Sequence, residues 1–376
     1  MHVLQVIDSL SWGGAEKLQL TFAREAYAHG LQLSVICLED DPEAQYPPMI
    51  RKLGANVQIM PGNRLLSFER IIRIIRYLRK ETVDIVHTHL AYANIIGALT
   101  GAFAGVPVVS TLHSIGTDPR HYHPIRYRLE KWLLSSVVKK NIAAADAVAG
   151  VYKKILPPQT ISVIPNAIEP VEELTSKERD FVRSELMGNA NATLYISVGR
   201  LSPAKGYPDL LSAFAILKNE CPDVYLIIAG DGSLFEELSN QIDAYELENH
   251  VQLLGARSDV PRLLGASDIY VSSSHREGLP LSILEAMSAG LPVVVTEVGG
   301  VVNLVQGRGI LVHPQEPKEL AKELLRLKID LRLRKSLGTL AREHVNRHYS
   351  PVHWYERILA IYQEVLSCPV VLSGIV

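Results

Sequence analysis

Cysteine is almost missing from this chain: Cys37, Cys221 and Cys368 are the only three in 376 residues, and no two are spaced as CxxC. That excludes a disulfide framework and a zinc ribbon, and it predicts structural thiols in a reducing compartment. Long apolar runs are missing too, since none approaches the ~20 residues that cross a bilayer. The opening Met1-His2-Val3-Leu4-Gln5-Val6-Ile7-Asp8 has no basic leader, and its apolar run is too short for a secretory signal. A cytoplasmic protein is expected, and Asn191-Ala192-Thr193 is read as a chance match to a glycosylation acceptor. There is no HExxH and no DxD-type carboxylate cluster, so neither a bound metal nor another cofactor is expected. No Ser-His-Asp arrangement, P-loop Lys-Ser/Thr or GxGxxG fingerprint occurs, and no nucleic-acid partner is expected.

What remains is a soluble globular composition, 47% hydrophobic and 21% charged, at a length that suits two domains of about 150–200 residues. Short β-branched runs alternate with helical stretches throughout. In the first half they are Val3–Ile7, Leu33–Cys37, Val57–Met60, Ile85–His87, Val108–Leu112, Ala147–Ala149 and Ile161–Ile164. In the second they are Leu194–Val198, Tyr225–Ala229, Val251–Leu253, Ile269–Val271, Val293–Val295 and Ile310–Val312. Continuous apolar runs between helices predict parallel strands covered on both faces, so an α/β chain with two doubly wound, Rossmann-like domains. The expected boundaries are 1–165, 166–349 and a closing helix with its tail, 350–376, and helical stretches around Ala341–His348 and Val352–Leu366 are joined at Ser350-Pro351. Ligands of such sheets gather at the carboxyl ends of the strands, so two facing domains would hold a ligand in their cleft. The apolar tail Cys368–Val376 carries no functional reading.

The net charge of −2 conceals an asymmetry. Residues 1–165 carry 18 Lys/Arg against 13 Asp/Glu, a balance of +5, and the remainder carries 20 against 27, a balance of −7. Within 51–80 lie Arg51, Lys52, Arg64, Arg70, Arg73, Arg76, Arg79 and Lys80 against Glu69. Phe68, Ile71, Ile72, Ile75 and Leu78 recur there at helical spacing, with Arg70, Arg73, Arg76 and Lys80 expected on the opposite side. Residues 120–140 add Arg120, Arg126, Arg128, Lys131, Lys139 and Lys140 against Glu130. Two readings stay open: a solvated helix face, or a basic patch that rests on an anionic membrane surface or guides an anionic acceptor.

The chemistry concentrates in Ser274–Met287. A strand gives out, a Gly278-Leu279-Pro280 turn follows, and a helix starts near Leu281. The first N–H groups of that helix and its dipole favour a phosphate. Glu277 and Glu285, eight positions apart, would repel a phosphate unless they hold hydroxyls. The pair therefore implies a ligand with phosphates in the middle and hydroxylated rings at both ends, which describes a nucleotide-sugar. Val198-Gly199-Arg200-Leu201-Ser202-Pro203-Ala204-Lys205-Gly206 adds two cations above a strand end, suited to a diphosphate, although loop cations can also be mere surface charge. Ala229-Gly230-Asp231-Gly232-Ser233 is read as shaping the loop region. Gly13-Gly14 after the first strand allows close backbone approach, but a plain tight turn explains it equally well. Among His87, His89 and His113, buried structural roles are the common fate, and His113, at a strand's end, is the preferred contact to a reacting sugar.

Gly13-Gly14-Ala15-Glu16, the Val-Gly-Arg-Leu-(x)3-Lys-Gly stretch at 198–206 and Glu277-(x)7-Glu285 resemble the retaining GT-B glycosyltransferases of family 4, and the likeness covers nearly the whole chain. The resemblance implies an acceptor-binding first domain, a donor-binding second domain and a last helix that crosses back to the first. It implies Arg200 and Lys205 on the diphosphate, Glu285 on the ribose hydroxyls and Glu277 on the donor sugar. Gly13, Gly14, Gly278, Leu279, Pro280 and Leu281 would line the donor, and His113 would lie near the reacting sugar. It further implies metal-independent, retaining transfer from a nucleoside-diphosphate sugar, UDP-linked by family habit, to a hydroxyl of a glycan or lipid-linked acceptor in polysaccharide or lipopolysaccharide synthesis. Two departures stand out: Val301-Val302-Asn303 follows Gly299-Gly300 where many relatives carry an acidic residue, and Asn166-Ala167-Ile168-Glu169 lacks the usual hinge glycine. A nucleotide-sugar epimerase of the same architecture and a non-enzymatic two-domain binding protein are the alternatives.

Overall fold

The computed structural model describes residues 1–62, 64–114, 123–187 and 192–367. Arg120, Asn191, Cys368 and the tail 368–376 lie outside the described residues. The chain divides into two compact units, one joining Met1–Ala167 with the segment from Pro351 onward, the other running Ile168–Ser350.

In the first unit the strands are β1 His2–Ile7, β2 Gln32–Cys37, β3 Asn56–Ile59, β4 Ile85–His89, β5 Val108–Leu112, β6 Lys140–Ala143 and β7 Ile161–Val163. In the second they are β8 Thr193–Val198, β9 Val224–Ala229, β10 Val251–Leu253, β11 Ile269–Ser272, β12 Val293–Thr296 and β13 Ile310–Val312. Among the described residues the sheet orders are β3-β2-β1-β4-β5-β6-β7 and β10-β9-β8-β11-β12-β13. Neighbours in both are parallel, with Val3 opposite Ile85 and Tyr195 opposite Ile269. Every residue of β1, β4, β5, β11 and β12 is buried, as a sheet covered by helices on both faces requires. The strand order reverses between β1 and β4 and again between β8 and β11, and these two points are where such sheets open a crevice for a ligand.

Three sequence expectations are corrected. Ala147–Ala149 is not a strand: it lies inside the Asp146–Tyr152 helix, and the strand of that region is β6, with Val109 opposite Lys140. Alanine has higher helix than strand propensity, and Asp146 stands in the first turn of that helix, where a carboxylate suits the dipole. Arg70 is not on the solvent side of the Phe68–Lys80 helix. It is 5% exposed and shares the inner stripe with Ile74 and Leu78, while Arg73, Arg76, Arg79 and Lys80 are exposed. Its Nη2 donates to the carbonyls of Arg64 at 3.1 Å and Leu65 at 2.5 Å, so the guanidinium carries the loop after β3. Phe68, expected inside, is 77% exposed.

The closing helix Pro351–Ser367 packs within the first unit on the Gly14–Ala28 helix, with Phe22 5.2 Å from Tyr355 and 6.1 Å from Trp354, ring centre to centre. The Tyr362 hydroxyl reaches His87 Nδ1 at 2.6 Å. This aromatic seam ties the last helix to the first sheet.

Candidate active site

The loops that follow β8 and β11 flank the second unit's reversal point. After β8 the chain passes Gly199 and the exposed Arg200, makes a short 3-10 turn over Pro203–Lys205, and enters the Tyr207–Glu220 helix through Gly206. Gly206 has φ +61°, and a Cβ there would overlap the Ser273 carbonyl oxygen and lie 2.8 Å from His275 Nε2. Only glycine satisfies both the left-handed backbone and the close approach of the neighbouring loop. Gly230 and Gly232 serve the same end: a Cβ on either would overlap the Gly199 or Leu201 carbonyl. Leu201 N–H donates to the Asp231 carbonyl at 2.9 Å, so this glycine loop is a backing for the cationic one.

Lys205 Nζ donates to Glu277 Oε1 at 2.6 Å, and Ser274 Oγ donates to the same oxygen at 2.7 Å. The side chains are 24% exposed at Lys205 and 10% at Glu277, so the pair is shielded enough for its charges to matter. The Ser274 carbonyl accepts from Thr296 Oγ1 at 2.5 Å, which anchors this loop to β12. Oε1 of Glu277 thus accepts from two donors. The Arg200 guanidinium forms no ion pair or hydrogen bond among the described residues, and its carbonyl accepts from the Ser202 N–H at 2.8 Å.

Pro280 precedes the Leu281–Ser288 helix, and no side chain caps its first turn, because proline offers no oxygen for the purpose. The amide N–H groups of that turn are therefore available to an anion. Glu285, in the same helix, is 5% exposed. Burial pushes the Tyr270 phenol upward, the charges of Glu277 and Glu285 add to the effect, and the Tyr270 hydroxyl donates to Ser282 Oγ at 3.0 Å. The Gly300 N–H donates to the Gly278 carbonyl at 3.0 Å. Beyond it Val301 is buried and Asn303 exposed, so the departure from the family pattern leaves the turn itself hydrogen-bonded.

Gly13, Gly14 and His113 belong to the first unit. Gly13 precedes the Gly14–Ala28 helix, and a Cβ on it would overlap the Glu16 carboxylate, which folds back over the glycine. His87 is fully buried, and its Nε2 lies 2.7 Å from Thr111 Oγ1. His89 Nδ1 lies 3.1 Å from His113 Nε2, so one ring donates and the other accepts. Desolvation lowers all three, His87 to about 3 and His113 to about 4, which keeps the trio neutral at pH 7. His113 is the least buried of them. Asp8, at the end of β1, accepts from the N–H groups of Tyr92 and Ala93 at 3.2 and 2.6 Å, and burial raises its carboxyl to about 7.

Among the described residues no group of three or more His, Cys, Asp or Glu is placed to hold a metal ion. Nor is any helix there long and apolar enough to cross a membrane.

Comparison with known proteins identifies the chain's family. The model for glycosyl transferases group 1 matches residues 178–344, and that for glycosyltransferase family 4 matches residues 12–172. An Escherichia coli UDP-Gal:alpha-D-GlcNAc-diphosphoundecaprenol alpha-1,3-galactosyltransferase is 30% identical over 311 residues, which is 79% of this chain and 80% of that one. The chain belongs to glycosyltransferase family 4.

The first matched region of this glycosyltransferase includes Gly13, Gly14 and His113, and the second includes Arg200, Lys205, Glu277 and Glu285. The N-acetyl-alpha-D-glucosaminyl L-malate synthase of Bacillus anthracis is 26% identical over 302 residues, 77% of this chain and 76% of that enzyme. Among solved structures, Anabaena HepE in complex with UDP-glucose superposes with a TM-score of 0.87 at 25% identity, over 97% of this chain and 100% of that one. The fold of this glycosyltransferase is GT-B, two parallel Rossmann-like units.

Sequence reasoning gave Ser274, His275 and Asp209 no role. Ser274 and His275 stand within the motif it singled out, but Asp209 is a residue of the Tyr207–Glu220 helix whose partner is 66 positions away.

Proposed function

We propose that this glycosyltransferase moves a hexose from a UDP-sugar to a hydroxyl of a glycan or lipid-linked acceptor, with retention and without a metal. The observation that carries the reading is the Lys205–Glu277–Ser274 cluster beside Arg200 and an uncapped helix start, at the strand-order reversal of the second unit. Arg200 and Lys205 take the diphosphate, assisted by the amides at Leu281 within the Gly278-Leu279-Pro280-Leu281 turn. Glu277 Oε2 takes a hydroxyl of the donor sugar and Glu285 the ribose. The UDP-glucose held by the Anabaena protein and the diphosphoundecaprenol acceptor in the Escherichia coli relative's name support a UDP donor and a lipid-linked acceptor.

The proposed chemistry is a front-face displacement. The bond from the anomeric carbon to the diphosphate oxygen breaks, the acceptor oxygen bonds the same face, and the acceptor's proton passes to the departing diphosphate. The cations and helix amides gain strength as charge builds on that leaving group, which is the differential stabilisation a catalyst needs. The first unit is assigned the acceptor, with Gly13 and Gly14 as a close-approach loop and His113 as a neutral polar contact to the reacting sugar. Exposed Arg73, Arg76, Arg79 and Lys80 support a cytoplasmic protein resting on an anionic membrane face.

Incubation with UDP-sugars in EDTA, with and without acceptor glycolipids, tests the reading. Acceptor-dependent UDP release and an α-linked product from an α-linked donor support it. Acceptor-free conversion of one UDP-sugar into another would indicate an epimerase, and trapping of a covalent glycosyl-enzyme by mass spectrometry would rule out front-face displacement. Flotation that ignores anionic lipid would remove the membrane part.

A further inference from the structure

The two loops are also held together by contacts outside the Lys205–Glu277–Ser274 cluster. Ser273 Oγ donates to the Lys205 carbonyl at 3.1 Å, and His275 N–H donates to the Ala204 carbonyl at 2.8 Å. His275 Nε2 lies 2.7 Å from Asp209 Oδ2, and the two side chains are 32% and 27% exposed. His275 is thus gripped at both its backbone and its ring, two residues before Glu277. Asp209 lies four residues after Lys205, and its own N–H donates to the Gly206 carbonyl at 3.0 Å. Each partner of this pair therefore sits next to one partner of the Lys205–Glu277 pair.

We infer that His275 and Asp209 form a clasp that sets the separation of Lys205 and Glu277, which makes both of them positioning residues for transfer. The inference rests on the donor-site reading above. Its physical basis is that a loop side chain contributes to a transition state only if it is held within about half an ångström of its productive place. Lys205 and Glu277 have flexible stems, and the two loops arise from different strands, β8 and β11. Without the His275–Asp209 contact the loops keep only the hydrogen bonds to the Ala204 and Lys205 carbonyls and the ion pair itself, and Lys205 would sample positions away from the leaving diphosphate. Gly206 lets the loops approach closely enough for the clasp to form. The imidazole Nε2–H donates to the carboxylate, so a glutamine at 275, whose amide N–H₂ can also donate, keeps the contact. Alanine at either position removes it.

The test is a double-mutant cycle on the full chain: His275→Ala, Asp209→Ala, both together, and His275→Gln, with Lys205→Ala as a reference. The expected result is a fall in kcat of about five- to thirtyfold in each single alanine variant, the size of a typical contact coupling. The double variant falls no further, His275→Gln stays within about threefold of wild type, and the KM for the donor changes little. Melting temperatures separate this from simple loss of fold, because a positioning role lowers kcat in protein that remains folded at the assay temperature. Additive losses in the double variant, or alanine variants with wild-type kcat while Lys205→Ala is impaired, overturn the clasp and leave the donor site intact. If Lys205→Ala itself is fully active, the donor-site reading fails first.

Discussion

Removing Lys205 exposes a charge as well as deleting one. In Lys205→Ala the Glu277 carboxylate keeps only Ser274 on Oε1 and faces the diphosphate without its counter-ion. Losing a charged hydrogen bond to phosphate costs about 1.5–3 kcal/mol. A carboxylate about 5 Å from a phosphate adds roughly 1–3 kcal/mol of repulsion at an effective dielectric of 20–40, discounted here for partial exposure. The single variant therefore weakens UDP binding by about two to four decades, at 1.36 kcal/mol per decade. In Lys205→Ala/Glu277→Gln the repulsion is gone, and UDP binding recovers by about one decade even though the lysine is still absent. Sugar transfer stays low in the double variant, because the leaving diphosphate still lacks its cation. Calorimetric titration of UDP into the four proteins of the cycle reads this directly. Double-variant binding no tighter than Lys205→Ala would refute the idea that Lys205 screens the diphosphate from the Glu277 carboxylate.

Three further outcomes follow from the same contacts. Asp268 accepts from Arg179, Arg183 and the Leu194 N–H, and Arg183 is 4% exposed, so Asp268→Ala strands a buried guanidinium and destabilises by about 3 kcal/mol in urea unfolding. Gly206→Ala drives a methyl into the Ser273 carbonyl in a backbone region disfavoured for alanine, and it lowers stability by about 2–4 kcal/mol while disrupting transfer; a thermal melt matching wild type would contradict this. The first unit loses stability as pH falls from 7 towards 4: His87, His89 and His113 take up protons when unfolded but not when folded, outweighing Asp8, whose raised carboxyl acts in the opposite sense. Asp8→Asn therefore steepens the dependence of the urea midpoint on pH between 5 and 7, and an unchanged or shallower slope contradicts the assignment.

The doubly wound architecture was legible because parallel strands bury both faces and so leave continuous β-branched runs such as Val3–Ile7 and Val293–Val295. It failed at Ala147–Ala149, where small residues fit either state and the neighbouring Lys140-Asn141-Ile142-Ala143 hides a strand behind polar residues at its start. The phase of the basic helix differs for a related reason: of Phe68, Ile71, Ile72, Ile75 and Leu78, which read as the core stripe, only Leu78 is buried, and it shares the inner stripe with Ile74 and Arg70, whose guanidinium is hydrogen-bonded to loop carbonyls. Hydrophobic periodicity cannot anticipate an inward arginine. In the loops after β8 and β11, Arg200, Lys205, Glu277 and Glu285 stand out because their residue types and spacing match phosphate and hydroxyl chemistry. The Lys205–Glu277 contact spans 72 positions and His275–Asp209 spans 66, and nothing local marks either as a pair. Topology makes them neighbours, through the adjacency of β8 and β11.

The most direct test of the account is calorimetric binding of UDP, GDP and ADP in EDTA to wild type and to Arg200→Ala. The account predicts that UDP binds without metal, that GDP and ADP bind more weakly, and that Arg200→Ala weakens UDP by at least about one decade. No binding of any diphosphate to the wild type, or equal binding by the variant, would contradict a diphosphate site built on Arg200 and Lys205.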